Sequence, residues 1–375
     1  MTTRVMRMAW ILAAAAGVVA CNDRAEIRPG NLPGDDLPVP AIDWDPERYV
    51  AYRTPAPLQI DGRLDEPAWE AAAWTADFVD IEGPLGSVPR FRTRAKLLWD
   101  DASLYIGAFL EEPQVWATLV ERDAVIYRDN DFEVFIDPDG DTHHYYELEI
   151  NALGTLWDLF LVKPYRDGGP AINGWYIRNL EAAVRVDGTL NQPSDIDRGW
   201  TVEIALPWPA LAEAAHRPSP PEPGDQWRMN FSRVEWRADA MSDGYVVRID
   251  TMPGRTRPED NWVWSPQGLI NMHYPEMWGL VQFSAAEVGD GGDAFVERPE
   301  DRARWFLRQV YYAQRRWHAR HGRFTDDLRA LGLETPVLEG FEGPIVLEAT
   351  AHLFEASLRD RRGGALHIAQ DGRVW

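Results

Sequence analysis

The sequence predicts an all-β protein: an antiparallel β-sandwich, with layers of the immunoglobulin or jelly-roll type, and a small C-terminal α+β appendage. Three observations predict it. From about residue 52 to 284 the apolar residues recur every second position in short runs, the spacing that lines one face of a strand. Gly-, Pro- and Asp-rich turns separate those runs, as strand connections require. Beyond Pro299 the apolar spacing changes to that of a helix.

The elements follow in order. Residues 22–51 are rich in Pro, Gly and Asp, including Pro33-Gly34-Asp35-Asp36, and read as a tether that packs no core. Leu104, Ile106, Ala108 and Leu110 alternate with Tyr105, Gly107 and Phe109. Phe132, Val134 and Ile136 alternate with Asp131, Glu133 and Phe135. Similar runs cover 145–151, 156–162, 201–206, 227–236, 245–249 and 278–283. Asp137-Pro138-Asp139-Gly140 is a hairpin signal, because Pro sets one φ and Gly supplies a positive one. Pro207-Trp208-Pro209 starts a short helix. Gly289–Asp293 lies in an acidic linker, residues 285–298. A helix then runs from Pro299 to about Arg320, with Ala303, Phe306, Leu307, Val310, Tyr311 and Gln314 on one face and Gly322 as its stop. A second short helix is expected from Thr325 to Leu331, ended by Gly332. The tail from Ile345 alternates again, with a turn at Gly363-Gly364, and completes an appendage over 299–375.

Composition narrows the function classes. Hydrophobic residues are 45% and charged residues 26% of 375, a globular balance. Acids outnumber bases 60 to 38, a net charge of −22. Such a surface repels phosphate backbones and anionic headgroups, so nucleic acid is excluded as a partner. Trp (18) outnumbers both Phe (13) and Tyr (12). Indole N–H groups are costly to bury unpaired, so some rings are expected at a surface where they bind something.

The single cysteine excludes an intrachain disulfide. Arg4 and Arg7 precede an apolar run, Met8–Ala20, too short for a membrane span. That run ends Val18-Val19-Ala20-Cys21, which resembles a lipobox. Residues 1–21 are therefore expected to be a lipoprotein signal peptide, with Cys21 carrying the lipid. The protein is expected to be exported and anchored by lipid alone, facing the periplasm or the cell exterior.

Residues 52–284 carry a further pattern. Ile60-Asp61-Gly62-Arg63-Leu64-Asp65-Glu66-Pro67-Ala68-Trp69 opens it, followed by Lys96–Ile106, Asp129–Asp137, Tyr145–Gly154, Gly199–Trp208, Arg228–Phe231, Trp264-Ser265-Pro266 and Pro275-Glu276-Met277-Trp278-Gly279. These pieces, in this order, resemble family 9 carbohydrate-binding modules. The resemblance implies sugar binding on one face of a sandwich, with a terminal sugar held between two rings. It implies that Tyr127 is the first ring, Glu133 the carboxylate and Asn151 the amide that read hydroxyls. The second ring's usual place holds Met272-His273-Tyr274, so that ring is missing or displaced to Tyr274. Asn230 is expected to join the site, since an amide donates and accepts at once. Trp264 or Trp278 is expected to supply or support the second wall. Trp69, Trp99 and Trp208 are expected in the core.

Period-two alternation across the Asp137 hairpin puts Asp131 and Glu133 on one face with Glu147, Glu149 and Asn151. Either the carboxylates spread apart along a solvated edge, or such crowding needs a counter-charge, from Arg94, Arg233 or a bound Ca²⁺, and the resemblance implies that structural calcium can be carried. Asp137, Asp139 and Asp141 begin like a calcium loop, but Gly occupies 140 and Leu148 stands where the closing Glu belongs, so this is a turn. No G-x-S-x-G, Walker or H-E-x-x-H motif is present. Binding without chemistry, serving polysaccharide catabolism, is the simpler reading, and the ends of poly- or oligosaccharides are the expected ligands. The alternatives are a structural or protein-docking platform and an O-glycosyl hydrolase. Tyr311-Tyr312-Ala313-Gln314 through Leu331 resembles the soluble part of type IV pilin-like proteins, so the appendage is a candidate for docking a protein partner.

Overall fold

The computed structural model describes residues 37–242, 244–249 and 257–375, all within one compact unit, Leu32–Trp375. Residues 1–21, expected to be a signal peptide ending at Cys21, lie outside the described residues. The first strands are β1 (Arg48–Arg53), β2 (Val79–Asp80), β3 (Thr93–Trp99), β4 (Ser103–Glu111), β5 (Asp131–Asp137) and β6 (Tyr145–Asn151). They are followed by β7 (Leu156–Leu161), β8 (Ala171–Ile172), β9 (Glu181–Asp187), β10 (Gly199–Pro207) and β11 (Gln226–Glu235). Next come the hairpin β12 (Ala238–Met241) and β13 (Gly244–Val247), then β14 (Asp260–Val263) and β15 (Gly279–Glu287). The C-terminal strands are β16 (Phe341–Ala349), β17 (Phe354–Asp360) and β18 (Ala365–Ala369). Helices are α1 (Pro67–Ala71), α2 (Trp208–Leu211) and α3 (Pro299–His321).

The main sheet runs β8-β7-β6-β5-β11-β15-β1-β3-β4-β10-β9. Inward residues from both its halves, such as Phe132, Val134 and Phe231 from one and Leu97, Ile106 and Val202 from the other, share one apolar cluster. The sheet therefore closes over that cluster as a β-sandwich. Trp99, Trp208 and Trp227 join Phe283 in edge-to-face contacts there, a geometry that suits the ring quadrupoles. Pairing is antiparallel except at β1, which runs parallel to both β15 and β3. Residues 48–51, expected in the tether, thus form an inner strand, with Ala51 fully buried and Tyr49 hydrogen-bonded to the Ala73 carbonyl at 2.6 Å.

The 60–69 motif is structural. Buried Glu203 accepts from the Asp61 and Gly62 N–H groups at 3.0 Å each and from Trp69 Nε1 at 2.8 Å. Gly62 is required here: its φ is +82°, and a Cβ would lie 2.9 Å from the Val184 carbonyl carbon.

Helix α3 begins at a proline and ends at Gly322, which adopts the left-handed conformation (φ 68°). Its buried face, including Leu307, Val310 and Tyr311, packs with Phe341, Phe354 and Ile368 of the small sheet β16-β17-β18. The same cluster contains Trp44, Tyr274 and Met277 from the sandwich, so this face of α3 is already covered by its own chain. No helix forms over Thr325–Leu331. The chain is pinned instead, because the Gln314 amide bonds both the carbonyl (2.6 Å) and the N–H (3.2 Å) of Thr325.

Candidate functional site

The hairpin β5–β6 builds the site. Its register pairs Asp131 with Asn151, Glu133 with Glu149 and Phe135 with Glu147. The even-numbered neighbours Phe132, Val134, Leu148 and Ile150 fill the sandwich core, so the odd-numbered acids stand on the outer face. β7 continues that face, with Trp157 opposite Glu149 and Leu159 opposite Glu147. One end of the face is capped by apolar packing of Phe135, Tyr145 and Leu161 against Met272 and Trp278. The other end is acidic and rimmed by rings.

Those rings are Tyr127, Trp157, Tyr165 and Trp236. Tyr127 is 42% and Tyr165 49% exposed. Tyr127 and Trp157 lie 6.4 Å apart at 34°. The Tyr127 N–H donates to Glu149 Oε2 at 2.9 Å, and Trp236 Nε1 donates to the Tyr127 carbonyl at 2.8 Å, which fixes the loop against the strands. Tyr165 sits on a one-turn helix at 165–167 and packs edge-on against His273 at 4.5 Å. Partial burial, then Glu147, Glu149 and Tyr127, hold the Tyr165 hydroxyl above its ordinary range.

The acids below the rim are buried: Asp131, Glu133, Glu147 and Glu149 are each 6% exposed or less. Burial pushes Glu133 up to about 7. Burial and the neighbouring carboxylates, Glu133 first, raise Asp131, Glu147 and Glu149 well above the carboxylate range. The expected counter-charges are engaged elsewhere. Arg94 lies over the Trp74 ring at 4.2 Å, and Arg233 pairs with Glu112 at 2.7 Å and Glu235 at 2.8 Å. By contrast, the Asp137–Asp141 turn is satisfied by its own backbone: Asp137 accepts from Gly140 and Thr142, and Asp141 accepts from His143. Arg373 adds an ion pair to Asp141 at 2.9 Å.

Of the residues expected to read a ligand, the structure brings together Tyr127 and Glu133, through Glu149. The other four need correction. Asn151 is fully buried with its amide spent, donating to Leu119 and Asp129 and accepting from Leu153 and Thr155. Asn230 is likewise buried and bonded to both backbone groups of Ser265 at 2.8 and 2.9 Å. Trp264 packs on Phe231 in the core, against a glycine (Gly279) whose added Cβ would lie 2.4 Å from the indole. Trp278 is fully buried and donates to the Met272 carbonyl at 2.8 Å. Neither indole offers a wall. Trp157 and Tyr165 stand at the rim instead, and the position of Trp157 opposite Glu149 follows from the short turn between β6 and β7.

His273, near the base of the rim, hydrogen-bonds the Tyr145 hydroxyl through Nδ1 at 2.9 Å. Desolvation, then Arg166, hold it down to about 3. Between pH 6.5 and 3 the unfolded chain binds a proton there that the folded chain refuses, so stability falls as pH falls, by up to about 1.4 kcal/mol per pH unit. His273→Gln removes this dependence. Melting curves of both proteins at pH 7 and 4.5 are expected to show the variant losing less stability on acidification, and equal losses would contradict the assignment.

A separate cavity of about 320 Å³ lies between β11 and α3, lined by Arg217, Arg228, Arg298 and Arg304 with Asp139, Glu300 and Asp301 among others. No aromatic ring lines it, so nothing there can stack on a sugar face. Among the described residues no helix is long and apolar enough to cross a membrane.

A family 9 carbohydrate-binding module from Caldicellulosiruptor kristjanssonii, solved with cellotriose, is 14% identical, with 67% of this chain and 100% of that one covered and a TM-score of 0.41. The same organism's module solved with glucose gives 14% identity, 66% and 100% coverage and a TM-score of 0.42. A protein from Bacteroides uniformis gives 14% identity, 64% and 100% coverage and a TM-score of 0.46. No curated protein matches the chain. Residues 60–281, more than half of the chain, match the family described as carbohydrate family 9 binding domain-like, and the protein belongs to that family.

Proposed function

We propose that the protein binds carbohydrate without transforming it, in the groove between the Tyr127, Trp157 and Tyr165 rings and the Glu133–Glu149 carboxylates. The observation that carries this reading is the pairing of half-exposed rings with recessed carboxylates on one sheet face. Sugar rings present C–H faces that stack on aromatic rings, and their hydroxyls donate to carboxylates. Family membership supports the same ligand class. The expected ligands are oligosaccharides or chain ends, presented to an exported lipoprotein held at the membrane by Cys21, in support of polysaccharide breakdown. The motivation for the anchor is the Arg4/Arg7 leader, the short apolar run and the lipobox-like Val18–Cys21. Fractionation of cells expressing Cys21→Ser tests it: the variant should leave the membrane, and continued membrane association would overturn the anchor.

Calorimetry with glucose and cellotriose, followed by a glycan array, tests the binding. Tyr127→Ala should weaken the best ligand about tenfold, the loss of one stacking face of about 1–1.5 kcal/mol, with an unchanged melting temperature. Unchanged affinity would remove Tyr127 from the site.

A further inference from the structure

We propose that the arginine-lined cavity between β11 and α3 is a second binding site, one for a small anion bearing phosphate or carboxylate groups. The inference does not rest on the sugar-binding reading. Charge is the first observation. The chain as a whole carries −22, yet Arg217, Arg228, Arg298 and Arg304 line one space of about 320 Å³. The acids beside them do not answer that charge. Glu300 pairs with Arg362 at 2.7 Å, and Asp301 stands 3.9 Å from Arg228. Asp139 forms no ion pair among the described residues. Both oxygens of nearby Asp137 already accept from the Gly140 and Thr142 N–H groups.

The guanidinium groups themselves are the second observation. Among the described residues Arg217 forms neither an ion pair nor a hydrogen bond. Arg298 and Arg304 donate to backbone carbonyls, those of Gly224 and Gly140. Arg228, only 5% exposed, donates to the Glu276 carbonyl at 2.9 Å. Recessed charge without a counter-charge is costly, and folded proteins compensate it. The rest of the chain follows that rule. Buried Arg166, Arg233 and Arg315 each have a carboxylate oxygen within 2.9 Å. The cavity group is the exception, and its members crowd one another. Desolvation first, then Arg228, hold the Arg304 guanidinium below its ordinary value, and Arg217 adds to the effect.

The lining also sets the ligand class. Planar guanidinium forks match phosphate and carboxylate oxygens two at a time, and several of them together suit a ligand with two or more negative charges. The volume is that of a small-molecule site. With no aromatic ring in the wall, nothing there favours a flat or apolar ligand. A small, oxygen-rich polyanion fits, and once bound it bridges Arg228 of the sandwich to Arg304 of α3.

The test uses the full chain at constant ionic strength, with inorganic phosphate and citrate as separate probes and chloride as the blank. Calorimetry should show one anion per chain, and a hundredfold excess over Kd should raise Tm by about 4 °C. The tighter probe distinguishes a phosphate from a carboxylate ligand. Arg217→Gln should weaken that probe at least tenfold. In chloride its Tm should equal or exceed that of the wild type, because a like charge has been removed and no bond within the fold is lost. Arg304→Gln gives the same affinity reading should Arg217→Gln fail to fold. A folded wild type with neither heat nor Tm response to either probe overturns the proposal. So does a Tm rise of equal size in wild type and Arg217→Gln, which marks a general salt effect. Cellotriose titrations of both proteins keep this site apart from the sugar reading. Sugar binding with no anion response overturns the anion site alone, and an anion response with no glycan binding does the reverse.

Discussion

Replacing Glu276 with alanine should destabilise the protein by about 3–5 kcal/mol, the cost of leaving buried charge uncompensated. Glu276 accepts from Arg166 at 2.9 Å and from the Tyr312 hydroxyl, with Arg308 Nε at 3.6 Å. Burial alone would raise its carboxyl, but Arg166 and Arg308 overcome that and hold it down to about 2. Its contribution is therefore complete above about pH 4.5 and is lost as pH falls toward 2. Arg315 adds an ion pair to Asp167 at 2.6 Å, and Tyr311 donates to the same oxygen. This network ties α3 to the turns that carry Tyr165 and His273. A denaturant titration of Glu276→Ala at pH 7 measures the loss. A shift below about 1 kcal/mol would show that the network is not holding the C-terminal part to the sandwich.

The second large effect falls on ligand affinity. Glu133→Gln should cost about 1.5–3 kcal/mol of binding, or roughly ten- to a hundredfold, because a charge-assisted acceptor for sugar hydroxyls is replaced by a neutral amide. The same change removes one of four crowded buried carboxylates. Melting temperature should therefore hold or rise while affinity falls. That combination separates a binding role from a structural one. Unchanged affinity with a lowered melting temperature would assign Glu133 to the fold.

These effects also show what could be read from the residues alone. The β5–β6 hairpin was legible because Phe132, Val134 and Ile136 alternate strictly with acids around a Pro-Asp-Gly turn, and alternation dictates face. Helix α3 was legible from its apolar spacing and from Gly322. The parallel insertion of β1 was not, because its partner β15 lies more than 200 residues away in the chain and nothing local encodes that pairing. The four residues that proved structural share a cause. Asn151, Asn230, Trp264 and Trp278 have the chemistry of a sugar site, but whether an amide or indole is free depends on backbone partners such as Ser265, Leu153 and Met272, which only the fold supplies. Trp157 and Tyr165 were missed for the opposite reason: register and a one-turn helix place them at the rim.

The most direct measurement is a crystal structure of the protein with cellotriose. A pyranose ring should lie against Tyr127, Trp157 or Tyr165, with hydroxyls directed at Glu133 and Glu149. A sugar bound elsewhere, as in the arginine-lined cavity beside α3, or no sugar in the groove at saturating concentration, would contradict the account.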